Sequence, residues 1–280
     1  MGIGRVLGFV GAVALIFAGC SPGLAAEGEG GAHPQTWLDG LLALRVAGRP
    51  LIHGQAGLAF AWSLVACGIL AVGSMLATRR LSIRPKGTQA LLEMIVGQVR
   101  GLVVGVMGPR GVDFVPFIGA LFIYIAVMNL LGLVPGCMSP TANLNITAGL
   151  ALVVFGVVHY YGVRERGAGY IEHFVEGVPM QFPYFLLAPL VFAVHLVGEL
   201  FRPVTLALRL FGNLMAKETV LAIFIGLVAG LAHRGIFLPV QLPNMILGIV
   251  VSLVQAAIFA MLTAVYLSGV LREQEAEAHG

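Results

Sequence analysis

The chain has 280 residues, of which 59% are hydrophobic and 10% charged, with a mean hydropathy of +0.96. Those values exclude an ordinary soluble domain and place the chain among membrane proteins. A net charge of +3 without a basic stripe interleaved with aromatics excludes a nucleic-acid binder, and three scattered cysteines (Cys20, Cys67, Cys137) form neither a disulfide framework nor a zinc site.

From the N-terminus, Arg5 supplies a positive n-region and residues 6–18 an apolar stretch too short for a span. Gly23, Leu24, Ala25 and Ala26 form a small-residue cleavage region, so residues 1–26 read as a signal peptide. Phe17-Ala18-Gly19-Cys20 also resembles a lipoprotein cleavage box. Residues 27–52 form a polar, Gly-containing exterior segment, and residues 53–280 the membrane domain. Residues 53–77 are long enough for the ~20 apolar residues of a first span. The cluster Arg79, Arg80, Arg84 and Lys86 follows, and such a cluster belongs on the cytoplasmic side.

Residues 87–107 mix Gln89, Glu93, Gln98 and Arg100 with Leu91, Leu92, Ile95, Val96 and Val99. That spacing predicts an amphipathic helix lying along the cytoplasmic interface. Residues 115–134 and 144–163 predict a hairpin of two spans, joined by turn residues without a basic side chain. Beyond the polar linker 167–181, two unusually long apolar segments, 183–231 and 238–271, complete five mature spans in an all-α polytopic protein. Their excess length requires strong tilt, or a break near Pro203. The acidic tail of Glu273, Glu275 and Glu277 is expected to be solvated.

The first long segment carries Arg209 near its middle. A guanidinium at mid-membrane depth costs roughly 3 kcal/mol on insertion scales and about 10 or more in simulations. Such a residue marks a functional site by default. His195, Glu199, Arg202, Arg209, Asn213 and Lys217 recur at offsets of three, four and seven, and so share one helix face, with Leu206 in the remaining place. Glu218 points elsewhere, more than about 100° round the helix from Asn213. The last segment carries a milder stripe of Ser252, Gln255, Thr263 and Tyr266, with Gly248 above it. Two facing polar stripes imply aqueous clefts at the helix ends with an arginine between.

Pro203-Val204-Thr205-Leu206-Ala207-Leu208-Arg209-Leu210-Phe211-Gly212-Asn213 resembles the signature helix of subunit a of F-type ATP synthases of bacteria. Gln255-Ala256-Ala257-Ile258-Phe259, Leu262-Thr263 and Tyr266-Leu267 resemble that family's last helix. Asn129-Leu130-Leu131-Gly132-Leu133-Val134-Pro135 and Pro140-Thr141-Ala142-Asn143 resemble its earlier hairpin. The resemblance implies a non-catalytic proton-channel subunit of the inner membrane, without cofactor or metal. Its implied partners are a ring of c subunits, the b-subunit stalk and the other synthase subunits. It implies a proton path within residues 183–271, while the basic cluster and the signal peptide predict an exterior N-terminus and a cytoplasmic C-terminus.

Residue by residue, the resemblance makes Arg209 the stator arginine facing the ring, and Asn213 and Gln255 its polar neighbours on the proton path. Glu218 falls at a position often protonatable in the channel open to the exterior. The family's partner position for it falls at Gly248, which carries no proton, so water or Glu218 alone is left to serve that side. His195 falls where some relatives have an acid, which makes it a candidate relocated titrating group. Glu199, one turn on, joins it as a translocation candidate, and Lys217 stands where a small residue is usual.

Two other classes compete. A stand-alone ion-coupled transporter would show an internal repeat with paired broken helices, and the sequence has no such symmetry. An intramembrane metalloenzyme is suggested by the one-turn spacing of His195 and Glu199, but the sequence has neither an HExxH motif nor an evident third ligand. His33, His53, His159, His173 and His233 read as interface histidines.

Overall fold

A computed structural model describes residues 45–46, 49–50, 54–78, 87–134, 137–166, 188–232 and 241–278. The expected signal peptide, most of the exterior segment, the cluster Arg79 to Lys86, the linker 167–181 and the connection 233–240 lie outside the described residues. So does the side chain of Glu218. Arg45–Val46 (β1) and Arg49–Pro50 (β2) form a two-residue antiparallel ladder, and all other regular structure described is helical.

Among the described residues six α-helices follow: α1 (Gly54–Thr78), α2 (Thr88–Met107), α3 (Val115–Leu131), α4 (Leu144–Arg166), α5 (Ala188–Ala232) and α6 (Gln241–Ala278). Of these, α1, α4, α5 and α6 each contain a stretch long and apolar enough to cross a membrane, and α3 forms a fifth together with the turn before it, Pro109–Leu131. The chain is thus an all-α polytopic protein with five spans. On α2 the buried positions Gln89, Val99, Val103 and Met107 follow the helical repeat, with Glu93, Met94, Gly97, Gln98 and Arg100 outward. That amphipathic pattern is what the sequence predicted for an interfacial helix.

Local chemistry sets the helix ends. Gly108, at φ 71°, ends α2, donating its N–H to Val104 O. A short 3-10 turn (Pro109–Phe114) leads into α3, whose first turn holds Pro116, where a missing N–H costs nothing. Asn143 Oδ1 accepts the Asn145 N–H at 2.9 Å and caps the start of α4.

α3 lies at the centre, between α1, α2 and α6, and α4 carries α5. The inner face of α3 (Ile118, Leu121, Ile125, Met128) packs into one continuous core with Leu150 and Val154 of α4 and Phe259 and Leu267 of α6. The long helices remove one alternative and depart from one expectation. α5 runs unbroken through Pro203, so no helix break divides it there. α6 continues to Ala278, carrying the acidic tail on helical backbone past the expected end at 271.

Candidate functional site

The site is built on α5, which docks through a narrow seam. Leu206, Ala207, Leu210 and Leu214 are buried against α4 and α6, while Leu208, Met215 and Val220 are exposed. The polar stripe straddles one border of this seam. Lys217, two turns beyond Arg209, is rotated from it by about 80° at ~100° per residue. Arg209 therefore lies outward and exposed, Asn213 between, and Lys217 inward and half-buried. Arg209 makes no ion pair or hydrogen bond among the described residues, which leaves its five donors directed away from the subunit's own core.

The stripe on α6 is buried where α5 needs partners: Ser252, Gln255 and Thr263 are at most 3% exposed. Asn213 Nδ2 donates to Gln255 Oε1 at 2.5 Å, one direct bridge between the two stripes. One turn further, Lys217 Nζ donates to Asn129 O at 3.2 Å and to Ser252 Oγ at 3.4 Å. Ser252 Oγ in turn donates to Asn129 O at 3.4 Å.

These bonds settle the C-terminal end of α3, where the last four carbonyls have no partner within the helix. Met128 O accepts from Ser139 Oγ, and Asn129 O from Lys217 and Ser252. Leu130 O and Leu131 O accept from the backbone N–H groups of Leu133 and Val134. Asn129 uses its side chain too, donating to Ser252 O at 3.4 Å and accepting from Thr141 Oγ1 at 2.5 Å. A cationic side chain at a helix C-terminus also meets the negative end of its dipole. A polar knot thus ties α3, α5, α6 and the 3-10 turn Pro140–Ala142.

Beyond Ser252 on α6, Gly248 is buried. A Cβ there would lie 2.5 Å from Leu133 Cδ2, so a leucine methyl fills the space of the expected partner of Glu218.

At the opposite end of the seam a small cleft, with room for about 10 Å³ of water, opens between α4, α5 and α6, with His159, Glu199, Arg202 and Tyr266 among its lining. Glu199 pairs with Arg202, whose guanidinium stands 5.4 Å from the Tyr266 ring centre. His159 Nδ1 lies 2.9 Å from Phe155 O.

Of the expected site residues, the fold brings Asn213 and Gln255 together and sets Glu199 at the cleft. It leaves His195 and Arg209 exposed on α5. His195 and Glu199 gather no third ligand: among the described residues no group of three His, Cys, Asp or Glu side chains could hold a metal ion. Sequence reasoning missed the roles of Asn129, Ser139 and Thr141, all buried and all in the knot. The available signal was an amide in the last turn of an otherwise apolar span, since buried polar groups must find partners. His159, expected to be an interface residue, lines the cleft.

The family described as ATP synthase A chain matches residues 60–268. The protein named ATP synthase subunit a of Geotalea uraniireducens is 42% identical over 227 residues, covering 80% of this chain and 92% of that relative. The protein named ATP synthase subunit a 3 of Pelobacter propionicus is 41% identical over 244 residues, covering 86% of this chain and 98% of its own length. The protein named ATP synthase subunit a of Geobacter sulfurreducens is 38% identical over 227 residues, 80% of this chain and 92% of its own.

Proposed function

Because the chain belongs to the ATP synthase A chain family and is the proton-channel subunit of the membrane sector, we propose that Arg209 separates two proton half-channels that open towards a ring of c subunits. The observation that carries this reading is the exposure of Arg209 near the middle of an unbroken α5, between the Glu199 cleft on one side and the Asn129 knot on the other. A permanent charge without a partner among the described residues, near the middle of an apolar span, needs an anionic surface from outside.

A carboxylic acid on each ring subunit must be neutral to face lipid and charged to exchange protons with water. As it passes Arg209, the guanidinium favours its ionised form and drives release of a proton. The Glu199 cleft is the cytoplasmic exit, with His195 beside it as a further titrating candidate on α5. The exterior entrance lies on the knot side, where Glu218 follows Lys217. Asn213 and Gln255 hold the polar lining between them. Each proton crossing gains about 2.3 kcal/mol per 100 mV, and laterally offset half-channels turn that gain into one-way movement of the ring.

The subunit makes and breaks no covalent bond in this scheme, so it is a non-catalytic part of the synthase. Its partners are the ring, the b-subunit stalk and the remaining synthase subunits. The path occupies residues 183–271, residues 1–26 are a signal peptide, and the mature N-terminus is exterior in the cell inner membrane.

Substitution at Arg209 tests the reading. Arginine stays protonated in a low-dielectric site, whereas lysine can lose its proton there. Arg209→Lys should therefore abolish proton-driven ATP synthesis. Arg209→Ala should leave the complex assembled on native gels, stop coupled rotation and permit passive proton leak in membrane vesicles. A structural arginine would instead destabilise the subunit when lost. Normal synthesis by an assembled Arg209→Ala complex would overturn the proposal.

A further inference from the structure

The polar knot has the composition of a cation site rather than of a simple helix contact. Four side chains of 1% exposure or less (Asn129, Ser139, Thr141, Ser252) bring oxygen atoms together at the C-terminal end of α3, where the helix dipole is negative. Such a set of carbonyl and hydroxyl oxygens can replace the hydration shell of a monovalent metal ion. In this chain the place is taken: the Lys217 ammonium reaches Asn129 O at 3.2 Å and Ser252 Oγ at 3.4 Å. The neighbouring Gly248, closed by Leu133, adds no polar side chain to compete for those oxygens.

We infer that Lys217 is a tethered cation, occupying the oxygen cluster on the exterior proton path and keeping sodium and potassium out of it. A metal ion entering the knot must both displace the ammonium from its oxygens and approach a like charge. Two like charges held that close repel strongly in a site of low effective dielectric. A proton needs no coordination sphere and passes along hydrogen bonds, so the same group that bars metal ions leaves proton delivery open. Lys217 is thus a specificity-determining residue of the exterior side. The inference rests on the proton path proposed above.

The test is ATP-driven proton pumping in vesicles carrying the whole synthase, measured in sodium chloride and in choline chloride of equal concentration. The unaltered complex and Lys217→Arg, which keeps the charge, should pump at the same rate in both salts. Lys217→Met and Lys217→Gln should pump in choline and be inhibited by sodium at a concentration at least about tenfold lower than any that affects the parent. Neutral variants that assemble only in high sodium would support the same conclusion, because the metal ion then replaces the ammonium.

Equal rates of the neutral variants in both salts would overturn the inference. So would assembled neutral variants that are inactive in either salt, since Lys217 would then carry protons itself. Failure of both to assemble at any sodium concentration would make Lys217 a packing strut and also overturn it. Proton pumping by the parent that Arg209→Ala abolishes would keep the half-channel reading standing in each of those cases.

Discussion

Gly132 and Gly248 lack side chains for different reasons. A Cβ on Gly132 would lie 2.5 Å from Ser139 Cβ and 3.3 Å from the Ser139 backbone, whose position is fixed by the knot. A Cβ on Gly248 would meet only the far end of the Leu133 side chain, which can rotate away. Gly132→Ala should therefore cost about 1–3 kcal/mol of stability and Gly248→Ala clearly less. Thermal inactivation of the purified complex measures the order, and a less stable Gly248→Ala variant would contradict it. The sequence showed that Gly248 carries no titrating group. Only the position of Leu133 shows that no room is kept there for one.

The unit that matters among the elements is the junction of α3 with the turn Pro140–Ala142. Read from composition, that connection is turn punctuation, yet Ser139, Pro140, Thr141 and Ala142 are all buried. The reason is the unsatisfied end of α3, which recruits hydroxyl donors from the chain that follows it. Thr141→Val keeps the shape and removes the donor to the fully buried Asn129 Oδ1, at an expected cost of about 1–3 kcal/mol. Thr141→Ser keeps the donor and should stay close to the parent. Equal melting midpoints for the valine and parent complexes would show that the bond contributes nothing. The extent of α5 was legible because apolar length is a direct sequence signal, but its continuity through Pro203 was not. A proline in an apolar span is compatible with either a break or an unbroken helix.

For the whole molecule, the distribution of basic residues about the spans bears on orientation. Phe114 and Tyr161 meet edge to face with ring centres 4.9 Å apart, so the start of α3 and the end of α4 share one side. Arg110 and Arg164 accompany them there, whereas the described part of the α3–α4 connection has no lysine or arginine. The bias of basic residues predicts that the first side is cytoplasmic. In a cysteine-free background, an impermeant maleimide added outside intact cells should label Leu144→Cys and spare Arg110→Cys. The reverse pattern would invert the topology.

Apolar length, periodicity and the motif around Arg209 determined the class, the five spans, the amphipathic helix and the family, because these properties are local to the sequence and need no contact to be read. The tertiary structure decided which members of one polar stripe face inward. A rotation of about 80° between Arg209 and Lys217 is invisible until the buried seam of α5 is fixed by α4 and α6. Tertiary structure alone also brought Asn129, Thr141, Lys217 and Ser252 together, from helices separated by up to 123 positions. Side chains that far apart become partners only when packing removes the water that would otherwise satisfy each of them.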